Sequence, residues 1–209
     1  NLRNADFSNS KLQNTIMSDA ILTGANLSNV VLINTALADI DLTDVTLTRN
    51  DRTYANLDGN DLSSRNLSNT NLTGAILVGA DLSNTNLTNV ILTGADISRT
   101  NLVGADLSGI DLTGTSLRAS DLSNANLAGV DLSGRDLIQT KLVGVDLFSR
   151  DLSNANLSFA DLTGADLSNA VLTNTLLVGA DFSGANLRNA DFSNSKLQNT
   201  IMSDAILTG

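Results

Sequence analysis

The stretch ADLTGADLSNAVLTNTLLVG, residues 160–179, places Leu162, Leu167, Leu172 and Leu177 five residues apart. Outward from it in both directions the spacing never slips, from Leu2 to Leu207. Of the 42 positions in that frame, 35 are Leu and six are Phe, Met or Ile, and Arg52 is the exception. A period of five fits neither the turn of an α-helix, about 3.6 residues, nor the two-residue alternation of a strand. The backbone must turn a corner every five residues.

Each phase of the repeat has its own chemistry. Two residues before the large apolar centre, 17 of 41 units carry Ala, nine Thr, five Val and three Ser. A large and a small residue recurring together imply two inward positions per unit. The residue before the centre is Asp in 17 units and Asn in ten, and the residue after it is Ser or Thr in 27. All 15 glycines fall two residues after the centre, where 15 Asn also stand. Gly and Asn accept turn dihedrals at least cost, so this phase is a turn. Asp, Asn, Ser and Thr bond to nearby backbone and hold the corner.

The pattern A-(D/N)-L-(S/T)-(N/G), seen clearly in Ala165-Asp166-Leu167-Ser168-Asn169 and in Ala125-Asn126-Leu127, resembles the pentapeptide repeat family over essentially the whole chain. The resemblance implies an all-β fold, a right-handed quadrilateral parallel β-helix with four pentapeptides per coil. On that geometry the chain makes about 10 coils in a rod of roughly 50 Å, at a strand spacing near 4.8 Å. Leu2, Leu22, Leu42, Leu62, Leu82, Leu102, Leu122, Leu142, Leu162 and Phe182 then form one stack of the structural core.

Residues 186–209 repeat residues 1–24 letter for letter, an offset of 185 residues or 37 whole pentapeptides. The chain is read as one continuous solenoid over 1–209 that samples a longer array of 185-residue units. With no capping segment visible at either end, an uncapped rod is expected, because solenoid ends expose edges unless sealed.

Composition narrows the function. The net charge is −10, every acidic residue is Asp, and His, Cys, Pro and Trp are absent. Disulfides and thiolate metal sites are excluded, and the commonest general bases and zinc ligands are missing. A filled tube offers no cleft for two carboxylates to work across, so neither an enzyme activity nor a cofactor or metal is expected. No Gly-rich phosphate loop and no basic patch for nucleic acid are present. No apolar run approaches the length of a membrane span.

Residues 20 apart share a face on the imported geometry, giving the column Asp41, Asp61, Asp81, Asn101, Asp121, Lys141, Asp161 and Asp181. The column reads as a solvated face, a weak divalent-cation site or a mimic of nucleic-acid phosphate. Outward apolar residues Ile16, Ile21, Val31, Ile76, Ile91, Val171, Leu176, Ile201 and Ile206 replace the usual Asp or Asn. Ile16, Ala36, Ile76 and Leu176 share one face and are the expected strip for lateral rod contacts.

Four arginines break the inward pattern. Arg52 takes a centre position, and Arg65, Arg135 and Arg150 take the small one. A buried unpaired charge is very costly. These side chains must reach outward, pair with Asp or mark a bulge, and with Tyr54 they are the irregular positions expected at contacts. The expected function is a non-catalytic, fibre-forming segment that self-associates end to end, as one giant chain or as stacked subunits, outside the cell or at its surface. The alternative is cytoplasmic: some members of the family resemble duplex DNA and bind DNA gyrase, and this chain shares the acidic rod while lacking inserted loops and a dimerisation helix.

Overall fold

The computed structural model describes residues 1–12, 14–17, 19–27, 30 and 57–208. Leu42, Arg52 and Tyr54 lie outside the described residues, as do Val31, Ala36 and Asp41. Parallel bridges join most described pre-centre residues to the one 20 residues on, as in Asp61 to Asp81, Asp81 to Asn101 and Asn101 to Asp121. Four pentapeptides therefore complete one coil and give the tube four faces. Face A carries Asp61, Asp81 and Asn101, face B Asn66 and Asn86, face C Asn71 and Ile91, and face D Ile76 and Asp96. The ladders are thinner than a conventional sheet, since each pentapeptide contributes a single bridging residue.

An audit of one unit's amides explains its sequence. Around Leu62 the turn closes with Arg65 N donating to Leu62 O at 3.3 Å. Leu62 N donates to Asp81 O at 2.8 Å and Ser64 N to Ser83 O at 2.8 Å. One coil later, Asp81 N donates down to Asn60 O at 2.9 Å. Four of the five amides are thus served by backbone. The fifth, on the residue after the centre, is served by a side chain: Ser63 N donates to Asp61 Oδ1 at 3.0 Å. Buried or half-buried backbone groups need partners, and a short carboxylate or carboxamide two residues upstream supplies this one. That is the physical reason for Asp or Asn before the centre.

The turn phase is equally determined. At every described turn the third residue has positive φ, in 21 non-glycine and 14 glycine residues. This is the dihedral that a type II turn demands there. Gly144 also leaves room for its neighbour: a Cβ there would lie 2.7 Å from Asn124 Oδ1 of the coil before it, and that side chain would have to shift.

Inside, centre and small phases alternate to form one apolar core. Leu62, Leu82, Leu102, Leu122, Leu142, Leu162 and Phe182 are completely shielded or nearly so, as are Ala80, Ala105, Ala155 and Ala165. Each such Leu contributes about 1.5–3 kcal/mol on burial. Threonines in the small phase reach back to a centre carbonyl: Thr100 Oγ1 donates to Leu77 O at 2.9 Å, and Thr115 Oγ1 to Leu92 O at 2.9 Å.

Face C departs from this regularity. Among the described residues, no bridge joins Ile91 to Asp111, Asp111 to Asp131 or Asp131 to Asp151, although pairing resumes between Asp151 and Val171. The inward small positions beside these gaps hold Val90, Ile110, Val130 and Arg150 in successive coils. On face C each gap lies between two side chains larger than Ala, and their stacking at strand spacing favours opening of the ladder. Shorter gaps occur on face B, between Asn86 and Asp106 and between Asn126 and Asp146, and on face D between Ser116 and Asp136, so bulk is not the sole cause.

Candidate functional site

The tube is filled, so any site must lie on its faces or corners. On face A the expected carboxylate column is present at Asp61, Asp81, Asp121, Asp161 and Asp181, interrupted by Asn101 and by Lys141. Lys141 Nζ donates to Asp121 Oδ2 at 3.0 Å. Most of these carboxylates are tied to their own turn. Asp161 Oδ1 accepts from Thr163 N at 3.0 Å and from Thr163 Oγ1 at 2.6 Å, and Asp181 Oδ1 is held likewise by Ser183.

This bonding pulls acidities down. The Ser63 hydroxyl and amide hold the Asp61 carboxyl below the usual carboxylate range, and Thr113 does the same for Asp111 and Ser133 for Asp131. For Asp121, partial burial pushes upward but is outweighed by Ser123 and Lys141, so the net direction is down. Among the described residues, no group of three carboxylates converges closely enough to hold a metal ion.

The inward-phase arginines occupy different situations. Arg135 is half-buried, and its Nη1 donates to Leu112 O at 2.8 Å while Nε donates to Asp131 O at 3.2 Å. It thereby takes the carbonyl 23 residues back that Thr uses elsewhere. The guanidinium is satisfied by backbone carbonyls, a partner that the expected alternatives of outward reach, pairing with Asp or a bulge did not include. Arg65 and Arg150 are also half-buried, and the Arg150 Nε atom is buried without a hydrogen bond.

Of the outward apolar residues, Ile16 is 82% exposed, Ile91 45%, Val171 38% and Ile201 48%. Ile76 and Leu176 are half-buried, and Asp96, Ser116, Asp136 and Asn156 stand between them on face D. Face D thus presents isolated apolar spots in a polar background.

The most unusual surface is the corner between faces D and A, which sequence reasoning did not single out. Its turn phase reads Gly79, Arg99, Ala119, Gln139, Phe159 and Gly179. Arg99, Ala119, Gln139 and Phe159 hold φ of 58°, 56°, 59° and 60° with neither glycine nor asparagine among them. Left-handed residues of this kind cost roughly 1–2 kcal/mol each. The corner also has a groove of about 300 Å³ lined by Val78, Asp96, Ser98, Arg99, Arg118 and Gln139. Arg118 Nη1 donates to Asp136 Oδ2 at 2.6 Å. Phe159 is 62% exposed, its ring lying over Gly179, where a Cβ would come within 2.7 Å of it. The signal was legible only as four exceptions to the turn rule at intervals of 20, which the period of five does not single out.

A filled four-sided β-helix with one Asx-closed corner per pentapeptide defines a solenoid of pentapeptide repeats. The family model for pentapeptide repeats matches in eight copies, over stretches 1–35, 25–63, 66–102, 95–134, 136–169, 151–189 and 165–204, and the chain belongs to that family. Among solved structures it is similar to HetL, a pentapeptide repeat protein involved in heterocyst differentiation regulation from the cyanobacterium Nostoc sp. strain PCC 7120. That likeness has 29% identity and a TM-score of 0.52 over 99% of this chain and 88% of HetL. QnrB1, a plasmid-mediated fluoroquinolone resistance protein, aligns at 15% identity and a TM-score of 0.46 over 98% of this chain and 90% of its own. Together with the bridges, the family and the likeness to HetL give the fold as the right-handed quadrilateral β-helix of pentapeptide repeats. No curated protein matches the sequence.

Proposed function

We propose that the chain is a non-catalytic structural segment whose coils stack end to end into a filament. One observation carries this reading. Residues 186–208 have the sequence of residues 1–23, and here they are seated on the preceding coil in register. Asp166 bridges Asn186, Val171 bridges Asp191, Leu176 bridges Lys196 and Asp181 bridges Ile201. Leu167 N donates to Asn186 O and Phe182 N to Ile201 O, both at 2.8 Å. On this reading the same in-register contacts join one long unit to the start of the next. Head-to-tail addition of this kind is heterologous and does not close, the geometry of filaments. Such a filament fits an extracellular or cell-surface role.

Electron microscopy of the purified chain across a concentration series tests the reading. Rods that lengthen at constant width are expected. Rods of single length at every concentration overturn it.

A second reading is favoured by the carboxylates. They are fixed in place by their turns and repeat at strand spacing on a rod of net charge −10, which suits a surrogate for duplex DNA in a DNA-binding partner such as DNA gyrase. A supercoiling assay separates the two: inhibition or protection of gyrase at micromolar chain supports the surrogate, and none supports the filament.

A further inference from the structure

Two strips on this molecule, each five coils long, are complementary to one another. The corner between faces D and A runs Val78, Arg99, Arg118, Gln139 and Phe159, with Phe159 and both arginines exposed. Face C runs Ile91, Asp111, Asp131, Asp151 and Val171, all exposed. Each strip is apolar at both ends. The middle of one carries two guanidiniums and an amide, and the middle of the other three carboxylates. From these matched patterns we infer that the Arg99–Arg118 corner of one rod docks along the Asp111–Asp131–Asp151 column of a second copy, joining rods side by side.

The argument has three parts. Register comes first. The face C strip repeats every 20 residues, and the corner strip offers one side chain per coil from two adjacent turn positions, so two copies of one chain, which share a pitch, pair coil by coil. Either polarity works, since the order apolar, charged, charged, polar or charged, apolar reads acceptably both ways.

Preorganisation comes second. Asp111 Oδ1 accepts from Thr113 N at 2.8 Å and Thr113 Oγ1 at 2.6 Å. Asp131 Oδ1 is held by Ser133 N at 3.0 Å and by its hydroxyl at 2.7 Å, and Asp151 Oδ1 by Ser153 N at 2.8 Å. Each carboxylate is immobilised through Oδ1, leaving Oδ2 for an outside donor, so little side-chain entropy remains to be lost. Arg135, whose charge acts on Asp111 and Asp131, spends its donors on the carbonyls of Leu112 and Asp131. On the other strip, the Arg99 side chain makes no hydrogen bond or ion pair among the described residues, its amide alone donating to Arg118 O at 2.9 Å, and the Arg118 guanidinium is held by Asp136. Exposed Arg and Phe together are the residue types that dominate contact energies.

Long-range repulsion comes third. Two rods of charge −10 repel. At about 0.15 M salt the Debye length is about 8 Å, which screens charges across the rods but leaves contact pairs largely intact. At about 0.01 M salt screening extends only beyond about 30 Å and repulsion dominates, while at about 1 M the contacts themselves weaken. Association therefore peaks at intermediate salt. Arginine bonded bidentately to carboxylate supplies the specificity, and the contact is heterologous, so it builds flat arrays of rods.

Small-angle scattering reads width and length separately, so this inference stands or falls apart from the filament. For the intact chain at intermediate salt, the cross-sectional radius is expected to rise with concentration to that of two rods abreast. Arg99→Asp with Arg118→Asp is expected to abolish the widening; Asp is native at left-handed turn positions such as Asp19 and Asp204. The variant Asp111→Asn, Asp131→Asn, Asp151→Asn is expected to abolish it as well, with the turns kept, because Asn fills the same phase in ten units. Neutralising face B instead, by Asp106→Asn, Asp146→Asn and Asp166→Asn, is expected to leave the widening unchanged. A constant cross-section in the intact chain overturns the inference. So does widening that survives either test variant, or that the face B control removes equally.

Discussion

A single left-handed residue per pentapeptide sets the rules at residue scale. Where that residue is Gly the dihedral is free, and where it is Ala119 or Gln139 the chain carries strain. Ala119→Gly relieves about 1–2 kcal/mol of strain and loosens the unfolded chain by about 0.4–1 kcal/mol, for a net gain of about 0.5–1 kcal/mol. Chemical denaturation should show the midpoint rising with unchanged slope; a fall would mean that the Ala119 methyl does more packing than its corner position implies. The interior responds the other way. Leu122 is fully shielded, and Leu122→Ala should cost about 2–5 kcal/mol by the same measurement, because neighbouring coils cannot collapse into the space without breaking their own ladder. The centre and small phases were legible from sequence because volume alone selects them. The Asp or Asn preference was legible as a pattern but not as a necessity, since only the amide audit shows which N–H lacks a backbone partner. The bonding of Arg135 was not legible, because the carbonyl it uses belongs to a residue 23 positions away.

At the scale of the element, the four ladders are not equal. Face A is continuous from Asp61 to Ile201, whereas face C has no bridge from Ile91 to Asp151. Hydrogen exchange followed by NMR should therefore find the amides of Asp111, Leu112, Asp131 and Leu132 exchanging faster than those of Asn101, Leu102, Asp121 and Leu122 in the same coils. Equal protection would show that the face C ladder closes in solution. The cause is testable too: Ile110→Ala combined with Val130→Ala should slow exchange at Asp131, even as lost apolar burial lowers overall stability. Sequence showed Val90, Ile110 and Val130 as acceptable small-phase residues when taken one unit at a time. Their effect comes from stacking in successive coils, and the period of five does not reveal how many units make a coil. The same blindness hid the corner of Arg99, Ala119, Gln139 and Phe159.

For the whole molecule, acid is the informative perturbation. The carboxyls of Asp61, Asp106, Asp111, Asp131, Asp166 and Asp191 are all held below their ordinary value of 3.8, chiefly by the Ser or Thr two residues on. A carboxyl depressed in the folded state adds stability above its unfolded value and loses it as pH falls through the folded one. Melting temperature should thus be flat from neutral pH to about 5 and decline below about 4. Salt near 0.5 M in the buffer removes the opposing effect, relief of repulsion among the 22 acidic groups. A melting point that climbs throughout the acid range would mean that the turn bonds contribute little. The four-sided solenoid was open to reading from the repeat through its resemblance. The uneven strength of its sides was not. A beam laced firmly along one side and unlaced across from it yields more readily in one plane than in the other. Bending of this rod should be directional, opening toward Asp111 and Asp131 and resisting toward Asn101 and Asp121, so that thermal curvature carries the acidic strip on its convex side.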